Sequence, residues 1–251
     1  MVMSPRRIGF ALGLAMLMAG SARQAALAGA FEVAPTTIEL SAKTRTALVR
    51  ITNRGDHAVT IQVRPYDWRQ SGGKDTLTPS MALMASPATA RLLPGGRQVV
   101  RLSERGPASE TTERAHRLLI RELTSKDAVA AGQVRVLLQF SLPVFAPSQA
   151  PGAATLLWDA RVAGDQLILT AANASPRHAK LANLAVVGAA AARADVIPIA
   201  YVLPGASRSW RLPAGRLEPG ADLTLKAEDG LTGRALTWSL QVRRNDDDRA
   251  H

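Results

Sequence analysis

The chain has 251 residues, 47% hydrophobic and 4% aromatic, so its cores must be built from Val, Leu, Ile and Ala. The formal net charge of +11 is carried by arginines scattered along the chain, without interleaved aromatics to stack bases, which argues against a nucleic-acid partner. The absence of cysteine excludes disulfides, Cys nucleophiles, Cys-ligated zinc and iron–sulfur clusters.

Residues 1–30 read as a cleavable signal peptide. Arg6 and Arg7 precede an apolar run over 8–20, and the small residues Ala26, Ala28 and Ala30 offer cleavage positions. That run falls short of the roughly 20 residues a bilayer span needs, and no later segment reaches that length. An exported protein without stable membrane insertion is expected.

Beyond the leader the dominant period is two. Val59, Ile61 and Val63 alternate with Thr60, Gln62 and Arg64, which places one face on a core and the other in water. Turn residues separate such runs at Asn53-Arg54-Gly55-Asp56, Ser71-Gly72-Gly73 and Pro94-Gly95-Gly96. The expected strands of a first domain are 31–40, 45–53, 59–68, 80–85, 97–103, 116–124 and 133–145. Short strands at this spacing predict an all-β immunoglobulin-like sandwich over 31–147.

Residues 148–154 read as a short, stiff linker. Alternation resumes over 156–162, 165–172, 179–187, 196–202, 207–212, 223–227 and 236–243, predicting a second sandwich over 155–245. Residues 188–194 (GAAAARA) could form a helical turn, since alanine favours helix, but seven residues alone would not hold one. The tail 246–251 reads as disordered.

The chemistry-bearing motifs are absent. His57, His116, His178 and His251 have no partner at metal-ligand spacing, and no nucleophile elbow, Walker loop or dinucleotide fingerprint follows a strand. No catalysis, metal or cofactor is expected.

Two features stand out. In QVRVLLQFSLPVF (133–145), Val134, Val136, Leu138, Phe140, Leu142 and Val144 occupy every second position. This stripe serves either the domain's own core or, on an edge strand, a partner, and Pro143 is easier to place on an edge. Before it, Arg117 and Arg121 share one strand face. A hairpin centred near residue 128 would set Arg117 opposite Gln139 or Phe140 and Arg121 opposite Arg135. Arg117 then lies toward the linker, where two domains would form a cleft and a guanidinium could hold a carboxylate with two parallel hydrogen bonds.

Several ordered stretches resemble the periplasmic pilus-assembly (fimbrial) chaperones of the chaperone–usher pathway, nearest their archaic, spore-coat-type branch. They are FEVAPTTIEL (31–40), LVRITNRGD (48–56), SPATARLLPGGRQVVRL (86–102), RLLIREL (117–123), LPVFAP (142–147), NASPRHAKL (173–181) and YVLPGASRSWRL (201–212). The resemblance implies two immunoglobulin-like sandwiches set as a boomerang around an interdomain cleft. It further implies donor-strand complementation: Val134, Val136, Leu138 and Phe140 would fill the groove of a pilus subunit that lacks a strand. The subunit would then pass to an outer-membrane usher. The family's cleft cations would align near Thr37 and Leu142, neither of them basic, so Arg117, with Arg121 second, is expected to anchor the subunit's terminal carboxylate. The loop 124–132 is expected to be mobile in the free protein and ordered with subunit. Self-association of the free protein through its apolar edge stays open. The competing readings are a secreted β-sandwich adhesion or structural pilus module without chaperone activity, and an exported hydrolase on a sandwich scaffold.

Overall fold

The computed structural model describes residues 31–123, 137–150, 152–187 and 196–244. The signal segment, the loop 124–132 and the tail expected from the sequence lie outside these residues, as do residues 188–194, Val134 and Val136. Among the described residues there is no helix, and none long and apolar enough to cross a membrane.

The first sandwich is formed by β1 (Phe31–Ala34), β2 (Ile38–Glu39), β3 (Thr46–Asn53), β4 (Val59–Ser71), β5 (Lys74–Pro79), β6 (Leu83–Ser86), β7 (Thr89–Leu92), β8 (Arg97–Glu104), β9 (Arg114–Leu123) and β10 (Gln139–Ala146). One sheet runs β1-β3-β8-β6 and the other β2-β10-β9-β4-β5, with β7 also on β4. The single strand expected over 31–40 therefore splits. Its first part joins one sheet and its second part the other, so the chain's start stitches the two layers together.

The second sandwich comprises β11 (Leu156–Ala163), β12 (Gln166–Asn173), β13 (Ala179–Val187), β14 (Val196–Val202), β15 (Ser207–Pro213), β16 (Asp222–Asp229), β17 (Ala235–Gln241) and β18 (Arg243–Arg244). Its sheets run β15-β12-β11-β18 and β14-β13-β16-β17.

Each sandwich closes over its own aliphatic core. Val49, Ile51, Ile61, Val100, Leu102, Leu118, Ile120 and Val144 fill the first, and Leu167, Leu169, Leu181, Leu184, Val202, Leu223 and Leu225 the second. These are the apolar positions of the period-two runs, which is how alternation becomes burial. One turn device recurs in both domains. Asn53 Nδ2 donates to the carbonyls of His57 (2.7 Å) and Leu92 (3.1 Å), while its Oδ1 accepts the Gly55 N–H. Asn173 does the same with Arg177 (2.8 Å), Val202 (2.9 Å) and the Ser175 N–H. An asparagine side chain can thus replace a strand partner where the chain turns away.

A buried carboxylate pins the first domain. The Glu104 side chain has no exposure, and it meets Arg45, Arg114 (2.8 Å) and His116 Nε2 (3.4 Å). His116 Nδ1 reaches Asp67 at 2.9 Å. Removing the carboxylate strands its cationic partners, so Glu104→Ala should destabilise the first domain by about 3–5 kcal/mol in urea titrations, the usual cost of breaking a buried pair from one side.

Candidate functional site: an open strand edge leading into a basic cleft

Strand β10 pairs antiparallel with β9 along its length, from Gln139↔Arg121 to Ala146↔Arg114. Arg117 therefore faces Pro143, and Arg121 faces Gln139. This corrects the sequence-derived register, which set Arg117 against Gln139 or Phe140 and Arg121 against Arg135. The connection between Leu123 and Gln139 is too long for a tight turn to dictate register. The two-sided burial of β9 and β10 decides it instead.

On its other side, among the described residues, β10 meets only β2, in parallel, through Val144↔Ile38 and Phe145↔Glu39. From Gln139 to Pro143 that edge has no strand neighbour among the described residues. The hydrogen-bond phase shows which groups are free. The Glu122 N–H donates to the Leu138 carbonyl at 3.0 Å, so the pairs at 138, 140, 142 and 144 point their polar groups at β9. Gln139, Ser141 and Pro143 point theirs outward. Proline has no N–H to offer, and it stands where none is needed by β9.

The apolar stripe divides along its length. Leu142 and Val144 are buried in the domain's own core, while Leu138 and Phe140 are half-buried against it. Phe140 packs on Phe31 with ring centroids 5.0 Å apart. Of the two readings of the stripe, Leu142 and Val144 follow the one that assigns it to the domain's own core. The cleft-proximal end serves the core, and toward Leu138 the same face lies at the open rim between the two sheets.

At the other end, β10 runs into the junction of the domains. Trp68 and Phe145 project from the non-core face of the β2-β10-β9-β4-β5 sheet and are buried by Tyr201, Leu203 and Ala206 of the second domain. Phe145 stacks on His178 at 3.5 Å with the rings nearly parallel. His178 Nδ1 and its backbone N–H both reach Glu113 Oε1, at 2.7 and 3.3 Å. Gln70 completes the junction, donating to the Tyr201 carbonyl (3.0 Å) and accepting the Leu203 N–H (2.9 Å). Glu113→Ala removes the acceptor of two buried donors, each costing about 1–3 kcal/mol when left unpaired. Looser domain docking is expected, visible as increased proteolysis of the 147–155 segment and a broader small-angle scattering envelope.

Beside this junction lies a cleft of about 400 Å³, lined from the first domain by Thr37, Asp75, Arg117 and Pro143 and from the second by Lys180, Tyr201 and Arg208. The Arg117 guanidinium sits 3.8 Å from the Trp68 ring centroid and 5.6 Å from that of Tyr201. Burial lowers its pKa from the ordinary arginine value, and Asp75 opposes that shift. Arginine remains protonated through such a change. Its contact with Ser141 is long, 3.5 Å from Nη1 to the carbonyl, and leaves the fork largely uncommitted. Asp75 lies 3.5 Å from Arg208, so three cations share one carboxylate. The cleft is therefore a ready seat for an anion, with the Arg117 guanidinium lying over the Trp68 ring.

Of the residues singled out from sequence, Arg117 lines the cleft. Arg121 does not, and its Nε donates to Gln62 at 2.9 Å on an exposed face. Thr37 lines the cleft, whereas Leu142 is buried in the first core. Lys180, Arg208, Trp68 and Tyr201 were not singled out. Three of these stand inside the quoted stretches NASPRHAKL and YVLPGASRSWRL, so a signal existed. No metal-binding cluster occurs among the described residues.

Residues 30–150 match the family model for the pili and flagellar-assembly chaperone, PapD N-terminal domain. Among solved structures, the chain resembles one in the CsuC–CsuE chaperone–tip adhesion subunit pre-assembly complex from archaic chaperone–usher Csu pili of Acinetobacter baumannii. That match has 19% identity and a TM-score of 0.66, covering 87% of this chain and 100% of the other. The Escherichia coli chaperone DraB matches at 16% identity and a TM-score of 0.57, covering 86% and 98%. The Salmonella enterica SafA pilin–SafB chaperone complex matches at 14% and 0.58, covering 85% and 96%. No curated protein sequence matches the chain. Its first domain thus matches the family model of the pilus-chaperone N-terminal domain, and over both sandwiches the chain shares the fold of these chaperones.

Proposed function

We propose that this protein is a periplasmic chaperone that captures pilus subunits by donating the edge of β10, and delivers them to an outer-membrane usher. The observation that carries the reading is the continuity of two features: an unpaired edge over Gln139–Pro143 and, at its end, a cleft with surplus positive charge. An incomplete sandwich could pair with the outward N–H groups of Gln139 and Ser141 and continue the sheet. The apolar face of the segment, Val134, Val136, Leu138 and Phe140, would then enter the joint core. Four such side chains contribute roughly 6–12 kcal/mol before association costs, enough to hold a subunit without nucleotide.

The subunit's terminal carboxylate would be seated on Arg117, with Lys180 and Arg208 as its cationic neighbours; Arg121 has no part in this seat. The same edge, left unpaired, would support self-association of the free protein. Periplasmic co-expression with a candidate pilin tests the reading. Affinity purification should recover an equimolar complex, and a pilin recovered equally in the absence of this chain would overturn it. A secreted adhesion module without chaperone activity would leave pilin yield unchanged.

A further inference from the structure

The basic cleft holds one side chain that seating a carboxylate does not use. Ile199, on β14, lines the cleft and is 60% exposed. The other second-domain residues described there, Lys180, Tyr201 and Arg208, each carry a polar group, whereas Ile199 is wholly aliphatic. Strand register explains its place. Across the β13–β14 ladder Tyr201 faces Lys180 and Ile199 faces Ala182. Side chains two apart on a strand share a face, about 7 Å from one another. Ala200 and Val202, the alternate positions, belong to the second core. Tyr201 docks onto Trp68, with ring centroids 5.6 Å apart, and is buried in the domain junction. Ile199 stands one step away from that contact and stays uncovered.

The cations of the seat surround the same tyrosine. Arg117 and Lys180 lie 5.6 and 5.8 Å from the Tyr201 ring centroid. Asp75 is already committed, accepting from Gln70 Nε2 at 2.9 Å and lying 3.5 Å from Arg208. A carboxylate held by Arg117 and Lys180 is therefore held beside Tyr201, with Ile199 next along the strand face. In a chain-terminal residue the side chain branches from the carbon that bears the carboxylate, so it is the first group able to cover Ile199. An aliphatic side chain there buries apolar surface on both partners. A hydroxyl would lose water against Ile199 without gaining a partner. An ammonium would in addition meet Lys180 and Arg208 as a like charge.

We propose that Ile199 is a specificity-determining residue: the cleft favours subunits whose last residue is aliphatic, with that side chain packed on Ile199. The inference rests on the reading that a subunit's terminal carboxylate is seated on Arg117. Synthetic peptides copying the last strand of a candidate pilin test it, titrated by fluorescence anisotropy against the full chain. One peptide ends in Leu, one in Ser, one in Lys, and a fourth is the Leu peptide with an amidated terminus. The Leu peptide should bind tightest. The Ser peptide should bind roughly fivefold more weakly, the effect of about 40 Å² of apolar surface left in water. The Lys peptide should bind more weakly still. In Ile199→Ser the ratio of Leu to Ser affinities should fall to about one, as a double-mutant cycle requires of two side chains in contact. Leu and Ser peptides that bind the wild type alike, while amidation still weakens binding, would overturn the inference and leave the carboxylate seat standing. So would a Lys peptide that binds as tightly as the Leu peptide, or an unchanged Leu-to-Ser ratio in an Ile199→Ser variant with wild-type circular dichroism. Amidation without effect, or no binding by any peptide, would defeat the seat and the inference with it. The wild-type comparison of Leu and Ser peptides needs no variant, so the test survives a variant that misfolds.

Discussion

Co-expression of the Val136→Asp, Leu138→Asp double variant with a cognate pilin should recover no complex, while the variant itself folds and purifies normally. Leu138 is half-buried at the rim of the first core, so its replacement spares the fully buried cluster around Val49, Ile61 and Leu118. In a shared core, losing two aliphatic side chains removes about 3–6 kcal/mol, and burying carboxylates adds further cost. The expected loss is at least about a hundredfold in affinity. Equal recovery of complex would sink the donor-strand assignment. Val134→Asp alone should weaken recovery less, since one anchor of four is removed.

The second large effect is expected at Arg117. Arg117→Ala deletes the only guanidinium that the first domain gives to the cleft among the described residues, and with it the group lying over the Trp68 ring. Truncating one partner of a desolvated charge pair costs about 2–5 kcal/mol, or roughly thirty- to several-thousand-fold in affinity. Arg117→Lys keeps the charge but loses the planar fork, and should fall between wild type and alanine. Arg121→Ala, on the exposed face beside Gln62, should bind like wild type. A subunit amidated at its C-terminus should bind wild type and Arg117→Ala alike, which separates a carboxylate seat from a general loss of stability. If Arg117→Ala bound a free-carboxylate subunit at full strength, the seat would lie elsewhere.

Much of this architecture is legible in the chain because burial and period coincide. Val59, Ile61 and Val63 alternate and are all buried, and the strands of the second sandwich begin and end within two residues of the alternating runs. What the period could not show has physical causes. Strand β5, Lys74–Pro79, is exposed at every position and carries no alternation to read; its pairing with β4 across Gly72-Gly73 comes from the turn. The split of residues 31–40 between two sheets depends on which layer each half meets, not on local sequence. The β9–β10 register follows from packing on both faces, which a hairpin centre guessed from chain position cannot supply.

The cleft shows the same limit more sharply. Arg117 is found by asking which strand end points to the linker. Lys180 and Arg208 come from a second domain roughly sixty and ninety residues on, and only the docking of Tyr201 onto Trp68 brings them beside it. The stripe is ambiguous from sequence because its burial changes along its length. Leu142 and Val144 complete one core, and from Phe140 outward the same face is at the rim.

The central claim is that subunits pair with the outer edge of β10. Amide hydrogen exchange with and without bound pilin measures that edge directly. The Gln139 and Ser141 amides, which point away from β9, should exchange quickly in the free protein and slow by at least about a hundredfold in the complex, as buried ladder bonds do. The Phe140 and Leu142 amides, already bonded to β9, should change far less. A stable complex in which Gln139 and Ser141 exchange as fast as in the free protein would contradict the account.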